Sequence, residues 1–288
     1  MTTTAIEAAV LRVIDEMHTN LGQELTIDDM ARTAMFSKFH FTRVFRDVTG
    51  TSPGRFLSAL RLQEAKRLLL ETGFSVADIS SRVGYSSVGT FSSRFKACVG
   101  VSPSLFRERG GFTDEITPAP PAAPAATPVP APAAAPVPAL AAAPAPPAPS
   151  AAPVPSGPGA GPLRGRIHLP EGRAPGHCFL GLFPTPVPQG RPVRCAVLDG
   201  PGAFELRAVP AGTWYVLVHS VPYGYEHLPS GTGEQDIVSV GSYGPVTAHE
   251  DTLLLPADIT LRPLDALDPP VLMALLDLRN GALERAAG

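Results

Sequence analysis

Phe45-Arg46-Asp47-Val48-Thr49-Gly50-Thr51-Ser52-Pro53 recurs fifty positions later as Phe95-Lys96-Ala97-Cys98-Val99-Gly100-Val101-Ser102-Pro103. Upstream, Leu25-Thr26-Ile27-Asp28-Asp29-Met30 matches Phe74-Ser75-Val76-Ala77-Asp78-Ile79, and one residue is inserted between Phe36/Tyr85 and Phe45/Phe95. Self-similarity on this scale means one supersecondary unit used twice.

Each copy brings its own helix punctuation. Thr26-x-x-Asp29 and Ser75-x-x-Asp78 set a hydroxyl cap before a short helix, with a carboxylate three residues on. The spacing predicts a second helix from near Ser37 in one copy and near Ser86 in the other. Each ends at a glycine, Gly50 or Gly100, the residue that best takes the left-handed closing conformation. Ser52-Pro53 and Ser102-Pro103 then place a cap and an N1 proline ahead of a further helix. Ile6, Val10, Val13, Ile14 and Met17 form one face of a leading helix, and Phe56, Leu57, Leu60, Leu68 and Leu69 line a longer one over about 53–71. Short helix, tight turn and second helix make helix-turn-helix grammar, written twice. A plain bundle would need neither the repeat nor the paired caps.

The second helix of each copy divides into two faces. Phe41, Val44, Phe45 and Val48 recur at helical spacing and pack inward, leaving Phe39, Thr42, Arg43 and Arg46 outward with Lys38 beside them. Arginine and threonine reach base edges, and lysine and arginine neutralise phosphates. In the second copy Phe91, Phe95 and Val99 pack inward and Val88, Gly89, Ser92, Ser93 and Lys96 face out. Any one of these residues alone reads as solvated helix surface; their recurrence in two copies argues for a shared task.

Charge points the same way. The chain of 288 residues carries a net −3, but residues 1–109 hold 14 Lys+Arg against 11 Asp+Glu, whereas the remainder is acidic. The half that would meet a polyanion is therefore the N-terminal one. Three cysteines, Cys98, Cys178 and Cys195, are odd in number and lack CxxC spacing, which excludes a dense disulfide framework or a zinc ribbon. The first 20 residues place Glu7, Arg12, Asp15 and Glu16 inside an amphipathic repeat, unlike a secretory signal. The expectation is a cytoplasmic protein with no membrane segment.

Only 17% of residues are charged, and 34 are proline. Both deviations trace to 118–162, which holds 17 prolines and 18 alanines and no charged side chain. It is long enough to cross a bilayer, but proline-rich backbone leaves carbonyls unpaired in lipid. The reading is a disordered Ala/Pro tether over 113–162, whose stretch 118–162 alone would reach about 140 Å if fully extended.

After Leu163 the apolar period changes to two. Runs at 164–169, 177–183, 193–198, 203–209, 214–221, 236–240, 246–255 and 258–261 read as short strands. Asp199-Gly200-Pro201-Gly202 and Pro210-Ala211-Gly212 read as hairpin-like turns. Strands so short and regular suggest an antiparallel β-sandwich. Val271-Leu272-Met273-Ala274-Leu275-Leu276 reads as a short C-terminal helix or a dimer contact. His168, His177, Cys178, Cys195, His219, His227, His249, Glu250 and Asp251 are ligand-capable, but none shows a paired metal spacing. Gly84-Tyr85-Ser86-Ser87-Val88-Gly89 is not a nucleophile elbow, and Gly231-Thr232-Gly233 lacks a phosphate-loop lysine. No spacing selects an acid and a base, so no enzyme, cofactor or metal is expected.

Two resemblances rest on these residues. Ile27-Asp28-Asp29-Met30-Ala31, Ser37-Lys38-Phe39-His40-Phe41-Thr42-Arg43-Val44-Phe45, and Gly84-Tyr85-Ser86-Ser87 through Phe91, Phe95, Gly100, Ser102-Pro103 and Phe106-Arg107 resemble the DNA-binding domain of the AraC/XylS family of transcription regulators. That resemblance implies seven helices, with two recognition helices entering successive major-groove segments and the helix near 53–71 holding them apart. By position it assigns base contacts to Phe39, Thr42 and Arg43 in the first motif and to Val88, Gly89 and Ser93 in the second. Lys38, Arg46, Ser87, Ser92 and Lys96 complete the candidate DNA-binding set. Valine and glycine carry no side-chain donor, so the second motif is expected to anchor more than it reads. Gly200-x-x-Ala203-Phe204-x-Leu206-x-x-Val209-Pro210-Ala211-Gly212-Thr213-Trp214 is similar to the small transthyretin-like, carboxypeptidase-regulatory sandwiches, which bind or scaffold.

The sequence thus reads as multidomain: an all-α double helix-turn-helix domain over 1–112, the tether over 113–162, and an all-β sandwich over 163–288. The function it implies is a sequence-specific DNA-binding transcription regulator whose β domain senses a ligand or dimerises. The implied partners are double-stranded DNA, RNA polymerase, a small-molecule effector and a second copy of the chain. The rival is a small-molecule or peptide binding protein whose DNA contacts are architectural.

Overall fold

The computed structural model describes residues 3–111, 161–189, 192–225, 237–249 and 253–270. The tether, apart from its last two residues, and the run 271–276 lie outside the described residues.

Seven helices stand among the described residues of the N-terminal half: α1 (Thr3–Thr19), α2 (Ile27–Thr33), α3 (Lys38–Thr49), α4 (Pro53–Glu71), α5 (Val76–Arg82), α6 (Val88–Val99) and α7 (Pro103–Glu108). Both capping boxes close. The Thr26 hydroxyl accepts from the Asp29 N–H at 3.2 Å while the Thr26 N–H donates to the Asp29 carboxylate at 3.1 Å. Ser75 and Asp78 repeat this at 3.1 and 3.2 Å. Each of these helices has only seven residues, too short to stand on propensity, so the caps carry much of the burden of starting them. The left-handed stops fall at Gly50 (φ 73°) and Gly100 (φ 103°).

Two expectations about caps need correction. The second recognition helix is capped by Ser87, not Ser86, because the residue inserted in that copy lies ahead of the cap and shifts it by one. Ser52 takes the extended cap conformation but makes no side-chain cap bond; Pro53 at the first helical position does the setting there.

The repeat reappears in the packing as two cores of like construction. Val10, Val13 and Met17 of α1 close over Met30, Phe41, Phe45 and Phe56. Ile79, Val83, Phe91, Phe95 and Phe106 close over Leu62, Leu69 and the rest of the second half of α4. Each core holds a run of three phenylalanines with ring centroids 5.5 to 5.7 Å apart: Phe41–Phe45–Phe56 in one, Phe91–Phe95–Phe106 in the other. All six rings are buried to within 1% of full burial. Each buried ring stabilises by about 2–3 kcal/mol, with about 0.5–1.5 more for each edge contact. Helix α4 serves both cores along its length, which makes it the shared beam of the two motifs.

In the C-terminal half, two sheets share one core. Strands β1 (Leu163–His168), β4 (Ala203–Leu206) and β7 (Ala257–Thr260) form one sheet, in the order β4-β1-β7. Strands β2 (Gly176–Phe183), β3 (Arg194–Leu198), β5 (Gly212–Pro222), β6 (Ser239–Ala248) and β8 (Arg262–Pro263) form the other, in the order β3-β2-β5-β6-β8. Leu163, Ile167, Phe204, Leu206 and Ile259 of the first sheet meet Leu180, Leu182, Trp214, Val216 and Val218 of the second. The pairing of β1 with β7 is parallel, against the all-antiparallel expectation.

Other strand readings also change. The turns at 199–202 and 210–212 are not hairpins: each carries the chain from one sheet to the other, since β4 pairs with β1 and its sequence neighbours pair elsewhere. Strand β4 stops at Leu206 rather than 209, and Ala208 has a positive φ of 51° that breaks the extended run. The separate strands expected at 236–240 and 246–255 are joined in the single strand β6. Gly241 and Pro245 fall between the two expected runs, and Gly241 lies where a Cβ would meet Ile259 Cγ2 at 2.6 Å, so glycine there permits close sheet packing. Pro245 falls at the irregularity in the β5–β6 register, where a missing N–H costs least.

Candidate nucleic-acid interface

Helix α3 is fixed by its inward rings and by Ser37, whose hydroxyl accepts from the His40 N–H at 3.4 Å. Its opposite face carries the residues singled out from the sequence. Arg43 and Arg46 are exposed, and neither side chain makes a hydrogen bond or ion pair among the described residues, so both guanidinium forks remain open. Thr42 donates its hydroxyl hydrogen back to the Lys38 carbonyl at 2.9 Å, which leaves its oxygen able to accept from a partner. Lys38 Nζ sits 3.0 Å from the Asp28 carboxylate of α2, an exposed pair that a phosphate can compete for. Phe39 is 89% exposed, an apolar ring with no protein cover.

Helix α6 offers less. Val88 is 42% exposed, and Gly89 stands in open space with nothing within 4 Å of the position a Cβ would take. Ser93 and Lys96 are exposed and Ser92 is half-buried. The Ser87 hydroxyl is engaged as the cap, accepting from the Thr90 N–H at 3.1 Å and donating to Thr90 Oγ1 at 2.9 Å. Lys96 is the one long cation among the candidates on this helix. The structure therefore gathers the first-motif candidates on one helix face and the second-motif candidates on another of unequal chemistry.

One residue near the first face was not read from the sequence. Met35, in the turn between α2 and α3, is 84% exposed and holds a positive φ of 59°. The matching turn in the second motif has Gly84 at φ 83°. Both turns close alike: Phe36 N–H to Ala31 O at 2.9 Å, and Tyr85 N–H to Ser80 O at 2.9 Å. Aligning the two copies at this position was the available signal.

Around these helices the perturbed groups are structural. Asp29 and Asp78 lie below the ordinary carboxylate range, first because of the cap hydroxyls of Thr26 and Ser75 and then because of the cap N–H groups. Burial pushes the Tyr85 phenol and the Cys98 thiol up.

In the strand-rich half, the outer face of the larger sheet opens into a cavity of about 300 Å³. Phe179, Phe183, Leu217 and Val240 wall it, and His219 and the Arg262–Asp268 pair (2.5 Å) supply polar edges. Among the described residues, no three His, Cys, Asp or Glu gather as a metal site requires, and no helix is long and apolar enough to cross a membrane.

Comparison with known proteins bears on the helical half. A helix-turn-helix domain model matches residues 30–109. The chain is 36% identical over 105 residues to the HTH-type transcriptional activator AarP of Providencia stuartii, covering 36% of this chain and 78% of that protein. It is 36% identical over 93 residues to the probable transcription factor PqrA of Proteus vulgaris, covering 32% and 76%. A crystal structure of an AraC-type transcriptional regulator from Chromobacterium violaceum aligns at 28% identity and a TM-score of 0.35, covering 36% of this chain and 93% of that one.

Proposed function

The chain belongs to the AraC family of transcription regulators and is a sequence-specific DNA-binding regulator with two helix-turn-helix motifs; from that premise we propose a division of labour between the motifs. Helix α3 reads bases and α6 anchors. The observation that carries this is the contrast between the open guanidinium groups of Arg43 and Arg46 on α3 and the bare Gly89 and short Ser93 on α6. Arg43 takes a guanine edge, Thr42 accepts from an exocyclic amine or covers a thymine methyl, and Phe39 packs on a thymine methyl. Lys38, Arg46, Ser92 and Lys96 meet phosphates, and Val88 takes an apolar contact at its groove wall.

Domain roles follow. Residues 1–112 hold the DNA affinity, 113–162 tether, and 163–288 form a transthyretin-like sandwich that senses a small-molecule effector. The 300 Å³ cavity with an apolar wall and a few polar edges supports sensing. Dimerisation through 271–276 would rest on residues outside those described. The regulator works in the cytoplasm and answers to RNA polymerase at its target promoters.

Binding of the intact protein and of residues 1–112 to selected duplexes, across a salt series, tests this. The fragment should bind the same site with steeply salt-dependent affinity. Affinity found in residues 163–288 and missing from the fragment overturns the assignment.

A further inference from the structure

Leu21, Gly22 and Gln23 lie in the loop that joins α1 to α2, ahead of the first motif, with Leu21 packed on its core; Arg82, Val83 and Gly84 lead through the turn between α5 and α6, within the second. The fold sets these two backbones against each other. A Cβ on Gly22 would fall 2.5 Å from the Arg82 carbonyl oxygen, and one on Gly84 would fall 2.5 Å from the Leu21 carbonyl oxygen. Only residues without side chains allow so close an approach from both sides. Gly84 also needs its left-handed φ of 83° to make the turn.

Arg61 of α4 fills the junction. Its Nε donates to the Leu21 carbonyl at 2.9 Å and its Nη2 to the Gln23 carbonyl at 2.7 Å. A Cβ on Gly84 would stand 2.7 Å from that same Nη2, so the guanidinium touches both the α1–α2 loop and the turn of the second motif. Next to Gly84, the Tyr85 hydroxyl lies 3.2 Å from Ser58 Oγ on α4 and ties the second turn to the same helix.

Two reading helices on one DNA face must match the duplex in spacing and in rotation. One added base pair shifts the second box by about 3.4 Å and turns it by about 34°. Helix α4, with 19 residues, spans about 28 Å. Each core packs on a different part of α4, and contacts that join the two halves directly add to what the helix alone fixes.

We infer that Gly22, Gly84 and Arg61 are positioning residues: their clasp of the α1–α2 loop, which packs on the first core, to the turn of the second motif fixes the distance and phase at which α3 and α6 meet DNA. None of the three lies on the outward stripe of α3 or α6, so the clasp acts through the helices it holds. The inference rests on the two-motif reading of DNA above.

The test uses intact protein and two kinds of duplex. One kind carries both boxes selected by the wild type, with the spacer kept or changed by one or two base pairs. The other carries the first box alone or the second box alone. Wild type should lose at least about tenfold in affinity for a one-base-pair change, because a rigid pair has high effective concentration at only one spacing. Gly22→Ala and Gly84→Ala, acting from opposite sides, should each cut that penalty to below about threefold and weaken the native spacing about tenfold. Affinity for each box alone should stay within about twofold of wild type, which local damage to either motif would not allow. Arg61→Gln, which removes the cation and keeps a polar side chain, should move spacing selectivity in the same direction.

Thermal melts identify the folded variants. Folded variants with unchanged spacing selectivity overturn the inference, as does parallel loss of binding to either box alone or failure of all three variants to fold. A wild type that selects a single box would instead overturn the two-motif reading itself.

Discussion

Replacing Met35 by glycine should stabilise the helical half, although it removes an apolar side chain. Met35 holds φ at 59° in the turn where the other motif has Gly84. A residue with a Cβ in that conformation costs about 1–2 kcal/mol relative to its right-handed alternatives. Glycine removes this cost but has more freedom to lose on folding, an opposing term of about 0.5–1 kcal/mol. The methionine is 84% exposed, so little burial is forfeited. The balance is a gain of about 0.5–1 kcal/mol, or a rise of about 2–6 °C in the midpoint for a domain of this size. Thermal unfolding of the intact protein, followed by the helical far-ultraviolet signal, measures it. Met35→Ala is the control: it removes the same exposed chain but keeps the Cβ, and should bring no comparable rise. An equal gain from alanine, or a lower midpoint for glycine, refutes the backbone argument.

Further expectations concern the interface and the caps. Arg43→Ala should relax base preference at one or two positions in one half of the selected site, since a good arginine–guanine pair is worth about 1–3 kcal/mol of discrimination; selection from randomised duplexes reads this, and an equal effect from Ser93→Ala would sink the proposed asymmetry. Lys96→Ala should weaken binding to all sequences alike and reduce the salt slope by about one. Thr26→Ala removes the acceptor for the Asp29 N–H and should cost about 1 kcal/mol in a denaturant titration. The lowered pKa values of Asp29 and Asp78 mean that their caps stabilise fully above the ordinary aspartate pKa of 3.8 and lose that contribution as pH falls through the depressed values. In acid titrations of the helical signal, the double variant Asp29→Asn/Asp78→Asn should lack this part of the acid dependence.

The helical half was legible because its signals are local. A capping box spans four residues, a left-handed stop is one glycine, and the inward phenylalanines repeat at helical spacing; each was read within a single turn or helix. The one-residue slip at Ser86/Ser87 arose because two adjacent serines offer equal hydroxyls, and only the shift carried by the inserted residue decides between them. The clasp was not legible, since Leu21 and Gly84 are brought together by tertiary packing and leave no periodic trace. In the β half, alternation located most strands but not their partners. Hairpin turns and sheet-to-sheet crossings use the same Gly and Pro residues, so 199–202 misled. Gly241 and Pro245 look like punctuation from within the strand, while their reasons lie across it, in Ile259 and in the β5 register.

Gly89 carries a consequence for how such a regulator changes its targets. It stands in the first turn of α6, exposed, with open space where a side chain would go. A single nucleotide change converts a glycine codon to arginine, aspartate, serine or valine. Replacing glycine in a helix adds up to about 1 kcal/mol of local stability. A substitution at this one site can thus supply a new hydrogen-bonding group to the second box with no clash to relieve and no core to rebuild. Duplicated copies of the gene could part ways in the promoters they recognise by this route, each remaining fully folded at every step.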